Sequence, residues 1–170
     1  LACGDYGEGK MAEPADIVEY VINNFIKKDL IGKKVLVTAG PTIEPIDPVR
    51  YITNHSSGKM GYSIAKEARN RGADVVLITG PSDLIPPNGI EVVQVATTQN
   101  MFEEVGKYFY TCDVLVKSAA PSDYKPENIS PIKIKKNESE EDGINLKLIR
   151  NPDIASYYGK FKKNQVIVGF

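Results

Sequence analysis

Three stretches of this sequence combine residue types that handle anions. The first, residues 40–61, reads GPTIEPIDPVRYITNHSSGKMG and carries Arg50 and Asn54. It joins a short apolar run, Val35-Leu36-Val37 ending in Thr38-Ala39-Gly40, to helical periodicity that begins near Lys59. Such connections usually take about 2–6 residues, and much longer ones are commonly functional. Ser56, Ser57 and Gly58 stand immediately before the helix. Hydroxyls, backbone N–H groups and the positive end of the helix dipole there face one point, which suits phosphate. A serine in this place is also an ordinary helix cap, and the length of the connection is what tips the reading toward anion binding. The second stretch is Ser118-Ala119-Ala120-Pro121-Ser122-Asp123-Tyr124. Small residues at a strand end let a ligand approach the backbone, and Asp123 could accept a ribose hydroxyl or hold a metal; a tight turn with an exposed aspartate is the plain alternative. The third is Lys133-Ile134-Lys135-Lys136, followed by Glu138, Glu140, Glu141 and Asp142. On an extended segment Lys133 and Lys135 share a side, as a cationic flap over phosphates would require. The acidic run would keep that flap open without ligand; a solvated charged surface is again the alternative.

Other chemistries are excluded by what is scarce. The chain has one histidine, His55, no tryptophan, and only two cysteines, Cys3 and Cys112. A zinc site built on paired cysteines or HExxH is ruled out, as is a disulfide framework, and cysteine usage reads as a reducing cytoplasmic compartment. Lys and Arg number 21 against 22 Asp and Glu, for a net charge of −1, so nothing global favours nucleic acid or an anionic membrane. No apolar run approaches the roughly 18 residues of a membrane span, and no secretory leader is visible. An enzyme that handles a nucleoside triphosphate by charge neutralisation and positioning fits these stretches. Two other readings stay open. One is an NAD(P)-dependent oxidoreductase, although GxGxxG is absent after the first strand and the Tyr62/Lys66 YxxxK pair comes too early in the chain. The other is a noncatalytic nucleotide-binding module.

The elements that must position these residues alternate. Pro14 opens a helix through about Lys28 with Ile17, Val18, Val21, Ile22 and Phe25 on one face, and Asp29–Gly32 is a candidate domain boundary. Strands are expected at Val35–Val37, Val75–Ile78, Val92–Val95, Val114–Val116, Leu146–Ile149 and a buried final strand from Val166. Helices are expected at Lys59–Arg71, with Met60, Ile64 and Ala68 inward, from a Thr98 cap through Phe109, and from Pro152 to about Phe161. Residues 121–143 have no helical period. This alternation predicts an α/β fold, a Rossmann-like doubly wound, mainly parallel sheet with helices on both faces. A start at Leu1 and an end on a strand lead us to expect a piece of a longer protein.

Residues 47–61, DPVRYITNHSSGKMG, closely resemble the signature of the phosphopantothenoylcysteine synthetase family. The similarity extends through TAGPT at 38–42, SDY at 122–124, KIKK at 133–136, NPDI at 151–154 and VGF at 168–170, and covers residues 31–170. Residues 1–14 resemble the cysteine-bearing flap of phosphopantothenoylcysteine decarboxylase, which bacteria commonly fuse ahead of the synthetase. Residues 1–30 are therefore expected to be a decarboxylase tail and 31–170 a synthetase domain continuing past Phe170. The resemblance implies CTP-dependent ligation of 4′-phosphopantothenate to L-cysteine through an acyl-cytidylate, with Mg²⁺, in a cytoplasmic homodimer. FMN would belong to the decarboxylase body alone. It implies that Lys133 forms the cytidylate, that Asn54 handles it, and that Cys3 is a decarboxylase proton donor. Arg50, Ser56, Ser57 and Gly58 would then line the acyl-substrate and phosphate region, with Gly40, Ala119, Lys135 and Lys136 beside it, and Asp123 and Phe170 would contact nucleotide. It names no metal ligands.

Overall fold

The computed structural model describes residues 11–135 and 143–170; Cys3, Lys136 and the acidic run from Glu138 to Asp142 lie outside the described residues. In chain order the elements are α1 (Pro14–Phe25), β1 (Lys34–Ala39), β2 (Ile43–Pro45), β3 (Tyr51–Thr53) and α2 (Lys59–Asn70). Then come β4 (Asp74–Thr79), β5 (Glu91–Gln94), α3 (Thr98–Phe109), β6 (Val114–Lys117), β7 (Tyr124–Pro126), β8 (Leu148–Arg150), α4 (Ile154–Phe161) and β9 (Val166–Gly169).

Val35 to Ala39 are buried without interruption, as a strand covered on both faces must be. β1 is accordingly the centre of a five-stranded sheet in the order β5-β4-β1-β6-β9, and every pairing in it is parallel. On one face Tyr62, Ala65 and Ala68 of α2 pack on Val35, Val37, Val75 and Leu77. On the other, Met101, Val105 and Phe109 of α3 and Ile154 and Tyr158 of α4 pack on Leu36, Ile78 and Leu115. The expected doubly wound architecture is present. Its strand order turns back between β1 and β6, and the crevice beyond the carboxyl ends of strands at such a switch point is where open α/β sheets bind ligands.

Several local expectations are corrected. The inward stripe of α2 is Gly61, Tyr62, Ala65 and Ala68, whereas Met60 is exposed, because small residues let this helix lie close on the sheet. Thr97, not Thr98, caps α3: its hydroxyl accepts the Asn100 N–H while the Asn100 side chain accepts the Thr97 N–H, a reciprocal capping box. Thr98 is buried and donates to Glu44 instead. The strand near Leu148 does not join the sheet; β7 and β8 form a separate antiparallel ribbon, and β2 and β3 form another. β9 is an exposed edge strand, since among the described residues only β6 pairs with it. The apolar side chains of α1 face outward, and none of its residues is buried. Its half-buried side carries Glu19 and Asn23, with Glu19 paired to Lys66 of α2. Tyr62 is thus a core ring and Lys66 an ion-pair partner, so the YxxxK spacing is structural.

At the amino edge of the sheet, away from the crevice, burial pushes the Cys112 thiol up to about 11. The Tyr108 hydroxyl donates to Glu91, and that bond, with burial second, pushes the phenol up to about 12. Both folded-state values lie above the ordinary ones of 9.0 and 10.0, so the fold favours the protonated forms. That contribution is complete below about pH 9 and is lost as pH rises toward about 12. Thermal melts should therefore decline more steeply between these limits for the natural sequence than for the Cys112→Ala/Tyr108→Phe double variant. Parallel declines would show that these groups do not set the alkaline limb.

Candidate active site at the carboxyl edge of the sheet

β1 is followed by Gly40, whose φ of +72° is open to glycine at little cost. The chain leaves through the β2–β3 ribbon and returns at Gly58, φ +76°, which is the N-cap of α2. A Cβ on Gly58 would lie 3.3 Å from the Cα and N of Gly40, so the two backbones touch. One turn further, a Cβ on Gly61 would lie 2.5 Å from Cβ of Ala39 and 2.7 Å from Oγ of Ser118. Two tasks of the glycines in a dinucleotide turn recur here, a tight exit from the strand at Gly40 and close helix–strand packing at Gly61. Gly58 instead brings the returning chain against Gly40, with the ribbon inserted between them.

No side chain caps α2. The Ser57 hydroxyl lies 3.4 Å from the Lys59 N–H and the Ser56 hydroxyl 3.4 Å from the Gly58 N–H, both long contacts. The helix start therefore keeps its positive end toward the crevice, as anion binding requires. Ser56 is half-buried, Ser57 is exposed, and the Ser57 carbonyl accepts from Ser82. The opposite wall is the turn after β6. The Ser118 hydroxyl donates to the Thr38 carbonyl at 2.7 Å, the Ala119 N–H approaches the Thr38 hydroxyl, and the Ala120 N–H bonds the Gly40 carbonyl at 2.9 Å. Asn54 spans the two walls, its amide donating to the carbonyls of Pro121 at 3.0 Å and Ala120 at 3.3 Å. Asp123 is exposed, and its carbonyl accepts the Asn151 N–H at 2.8 Å, placing NPDI against SDY. Within NPDI, Asp153 caps α4 and Ile154 is core. Phe170 is exposed, and its N–H donates to the carbonyl of Lys117, one residue before Ser118.

A buried polar strut braces this edge. Glu44 on β2 accepts both the N–H and the hydroxyl of Thr98 at the start of α3, at 2.9 and 2.8 Å. Thr42 lies 2.9 Å from the same hydroxyl and accepts the Ser122 N–H. A carboxylate at a helix N-terminus is favoured by the dipole, so the ribbon, α3 and the β6 turn are tied at one point. Lys133 and Lys135 are both exposed on the loop between β7 and β8, flanking half-buried Ile134. The Ile134 N–H donates to Asp47, and the Arg50 guanidinium donates to the Ile134 carbonyl. Arg50 also pairs with Asp47, and the guanidinium together with backbone N–H donors holds that carboxyl far below the usual carboxylate range. Asp47, Gly61 and Glu44 escape the sequence reading. The GKMG spacing and the i,i+3 Asp47/Arg50 pair are the signals that point to the first two, and nothing in the sequence marks the third. Among the described residues no group of three or more His, Cys, Asp or Glu could hold a metal.

Gly61→Ala should lower stability by about 1–3 kcal/mol by overpacking. Gly159→Ala, where a Cβ meets nothing within 4 Å of α4, should raise it by up to about 1 kcal/mol. Urea titration reads both signs, and equal effects would refute the close approach.

Comparison with known proteins places this geometry in company. The family model of the DNA/pantothenate metabolism flavoprotein C-terminal domain matches residues 30–170. The coenzyme A biosynthesis bifunctional protein CoaBC of Vibrio parahaemolyticus is 46% identical over 99% of the chain, which spans 42% of that relative's length. The crystal structure of a C-terminal domain of CoaBC superposes with a TM-score of 0.71 at 43% identity, covering 81% of this chain and 63% of that one. The DNA/pantothenate metabolism flavoprotein from Streptococcus pneumoniae superposes with a TM-score of 0.69 at 29% identity, over 80% of this chain and 68% of that one.

Proposed function

The chain belongs to the DNA/pantothenate metabolism flavoprotein C-terminal domain family, and from that membership we propose that it is the ligase portion of a coenzyme A biosynthetic enzyme. In this reading it joins 4′-phosphopantothenate to L-cysteine using CTP. The carboxylate of phosphopantothenate attacks the α-phosphorus of CTP and pyrophosphate leaves; the cysteine amine then attacks the acyl carbon of the cytidylate and CMP leaves. What carries the reading is the convergence, at one sheet edge, of the Gly40–Gly58–Gly61 cradle, the uncapped start of α2, Asn54 and the Lys133 loop.

Each group has a task that suits its chemistry. The α2 start with Ser56 and Ser57 receives phosphate oxygens. Lys133, with Lys135 beside it, offsets the charge that develops as pyrophosphate departs. Asn54, held by the Ala120 and Pro121 carbonyls, is placed to orient the cytidylate. Ala119 lets the nucleotide lie close to the backbone, and Asp123 and Phe170 offer it a hydroxyl acceptor and an exposed ring. Mg²⁺ would ride on the triphosphate with its own waters rather than in a protein cage, as it usually does, with Asp123 the carboxylate at that edge, and would neutralise phosphate charge. Residues 1–30 belong, in the same reading, to a preceding decarboxylase unit, with Cys3 in its site and FMN in its body. The outward apolar face of α1, outside both core clusters, accords with that division. A cytoplasmic homodimer completes the proposal; among the described residues no helix is long and apolar enough to cross a membrane.

The oxidoreductase alternative fares worse. Its cofactor takes, near the end of the strand after the first helix of the unit, an acidic residue for the NAD ribose or an arginine for the NADP phosphate. Here that strand, β4, ends on Thr79, and a Cβ on the Gly80 that follows would overlap the Pro41 carbonyl.

In the full-length protein, Lys133→Gln should cut pyrophosphate release from CTP plus phosphopantothenate by at least about 100-fold. Undiminished release would remove the role assigned to this lysine. Asn54→Asp should still release pyrophosphate but accumulate acyl-cytidylate, detectable by mass spectrometry; normal product formation would take Asn54 out of the mechanism. Replacing CTP with ATP in the same assay decides the nucleotide.

A further inference from the structure

We propose that Asp47 and Arg50 form a latch that fixes the Lys133 segment to the loop carrying Asn54, so that both are positioning residues for the ligase reaction. The inference rests on the function proposed above. The Asp47 side chain is fully buried and serves five donors. Its Oδ1 accepts the N–H groups of Val49 and Arg50, each at 2.8 Å. Its Oδ2 accepts the Arg50 guanidinium and, at 3.1 Å, the Ile134 N–H. The Arg50 Nη2 then donates to the Ile134 carbonyl at 2.6 Å. Both backbone groups of Ile134 are therefore held by side chains from a loop 84 and 87 residues away in sequence.

The arrangement reproduces one rung of a strand ladder with an aspartate and an arginine in place of a second backbone. A further bond, Ser130 N–H to the Ile46 carbonyl at 2.9 Å, tethers the same segment to the same loop. Lys133 and Lys135 flank the gripped residue, so their reach is set by the latch. Arg50 is assigned to phosphate binding by resemblance alone; here its charge is matched by a buried carboxylate and its donors are engaged on the flap. Held by its Nε and Nη2 in this way, the guanidinium contributes through geometry, and a misplacement of the order of an ångström is enough to slow chemistry about 100-fold.

The test uses the full-length protein with Asp47→Asn and Arg50→Lys; the second keeps a cation beside the buried Asp47 and alters a side chain that is 44% exposed, and circular dichroism confirms that each variant is folded. Trypsin cleavage of the Lys133–Ile134 bond should accelerate about 10-fold in both variants as the segment opens. The kcat for pyrophosphate release should fall about 100-fold while KM for CTP and for phosphopantothenate changes less than about threefold. The double variant should be no worse than the worse single one, because two halves of one latch are lost only once. Unchanged cleavage, or a loss confined to KM for phosphopantothenate, would overturn the latch and return Arg50 to direct substrate contact. If the natural protein itself releases no pyrophosphate, the ligase reading fails while the cleavage rates still decide whether Asp47 and Arg50 hold the segment.

Discussion

Two backbones, that of the end of β1 and that of the first turn of α2, come closer than any side chain allows. Gly61 against Ala39 and Gly58 against Gly40 are the contacts in question, and the rest of the edge is arranged around them. With α2 seated this low, its uncapped start faces the crevice at the turning point of the strand order. A methyl group at Gly61 would push the helix outward and tilt its dipole away from the crevice, whereas at Gly58 the left-handed φ of +76° is the stronger bar to a side chain. The small residues after β6 serve the same end, since Ser118 and Ala120 bond directly to Thr38 and Gly40 and leave the second wall thin.

Around this seat the structure uses two buried carboxylates as fasteners. Glu44 ties the inserted ribbon to the start of α3. Asp47 ties the same ribbon to the lysine segment. Glu44 accepts two donors of Thr98 and Asp47 five donors in all, the condition under which a buried polar group is tolerated. Neither belongs to the apolar core, yet between them they fix the ribbon and the lysine segment to the edge of the sheet. The core supplies rigidity, and these two residues convey it to the loops.

Much of the frame is legible from sequence because parallel strands buried on both faces leave unbroken apolar runs, as in Val35–Val37 and Val75–Ile78. The long connection after β1 and the small-residue turn after β6 are legible too, since length and residue type mark them without reference to packing. What escapes depends on partners far away in the chain. The inward face of α2 is set by closeness to Ala39, so Gly61 and Ala65 join Ala68 and the partly buried Ile64 on it, and Met60 turns out to solvent. Thr98 loses the cap to Thr97 because Glu44 claims it. The Leu148 strand pairs with β7 rather than the sheet, and β9 is left at an edge, for reasons of topology that short apolar runs do not record. Asp47 is invisible as a hub because two of its partners are its own near neighbours and the decisive one, Ile134, lies far downstream.

The contact between Gly40 and Gly58 has one more consequence. The seventeen residues between them depart from and return to the same spot, so this part of the chain is a closed excursion whose ends stay fixed however far it travels. The entropy of closing such an excursion grows only slowly with its length. Residues added between its tie points would accordingly cost little closure entropy, while the cradle beneath keeps its shape. The fold thus separates the glycine seat, fixed by backbone contact, from an excursion held where Thr42, Glu44, Asp47 and Asn54 fasten it to neighbouring elements.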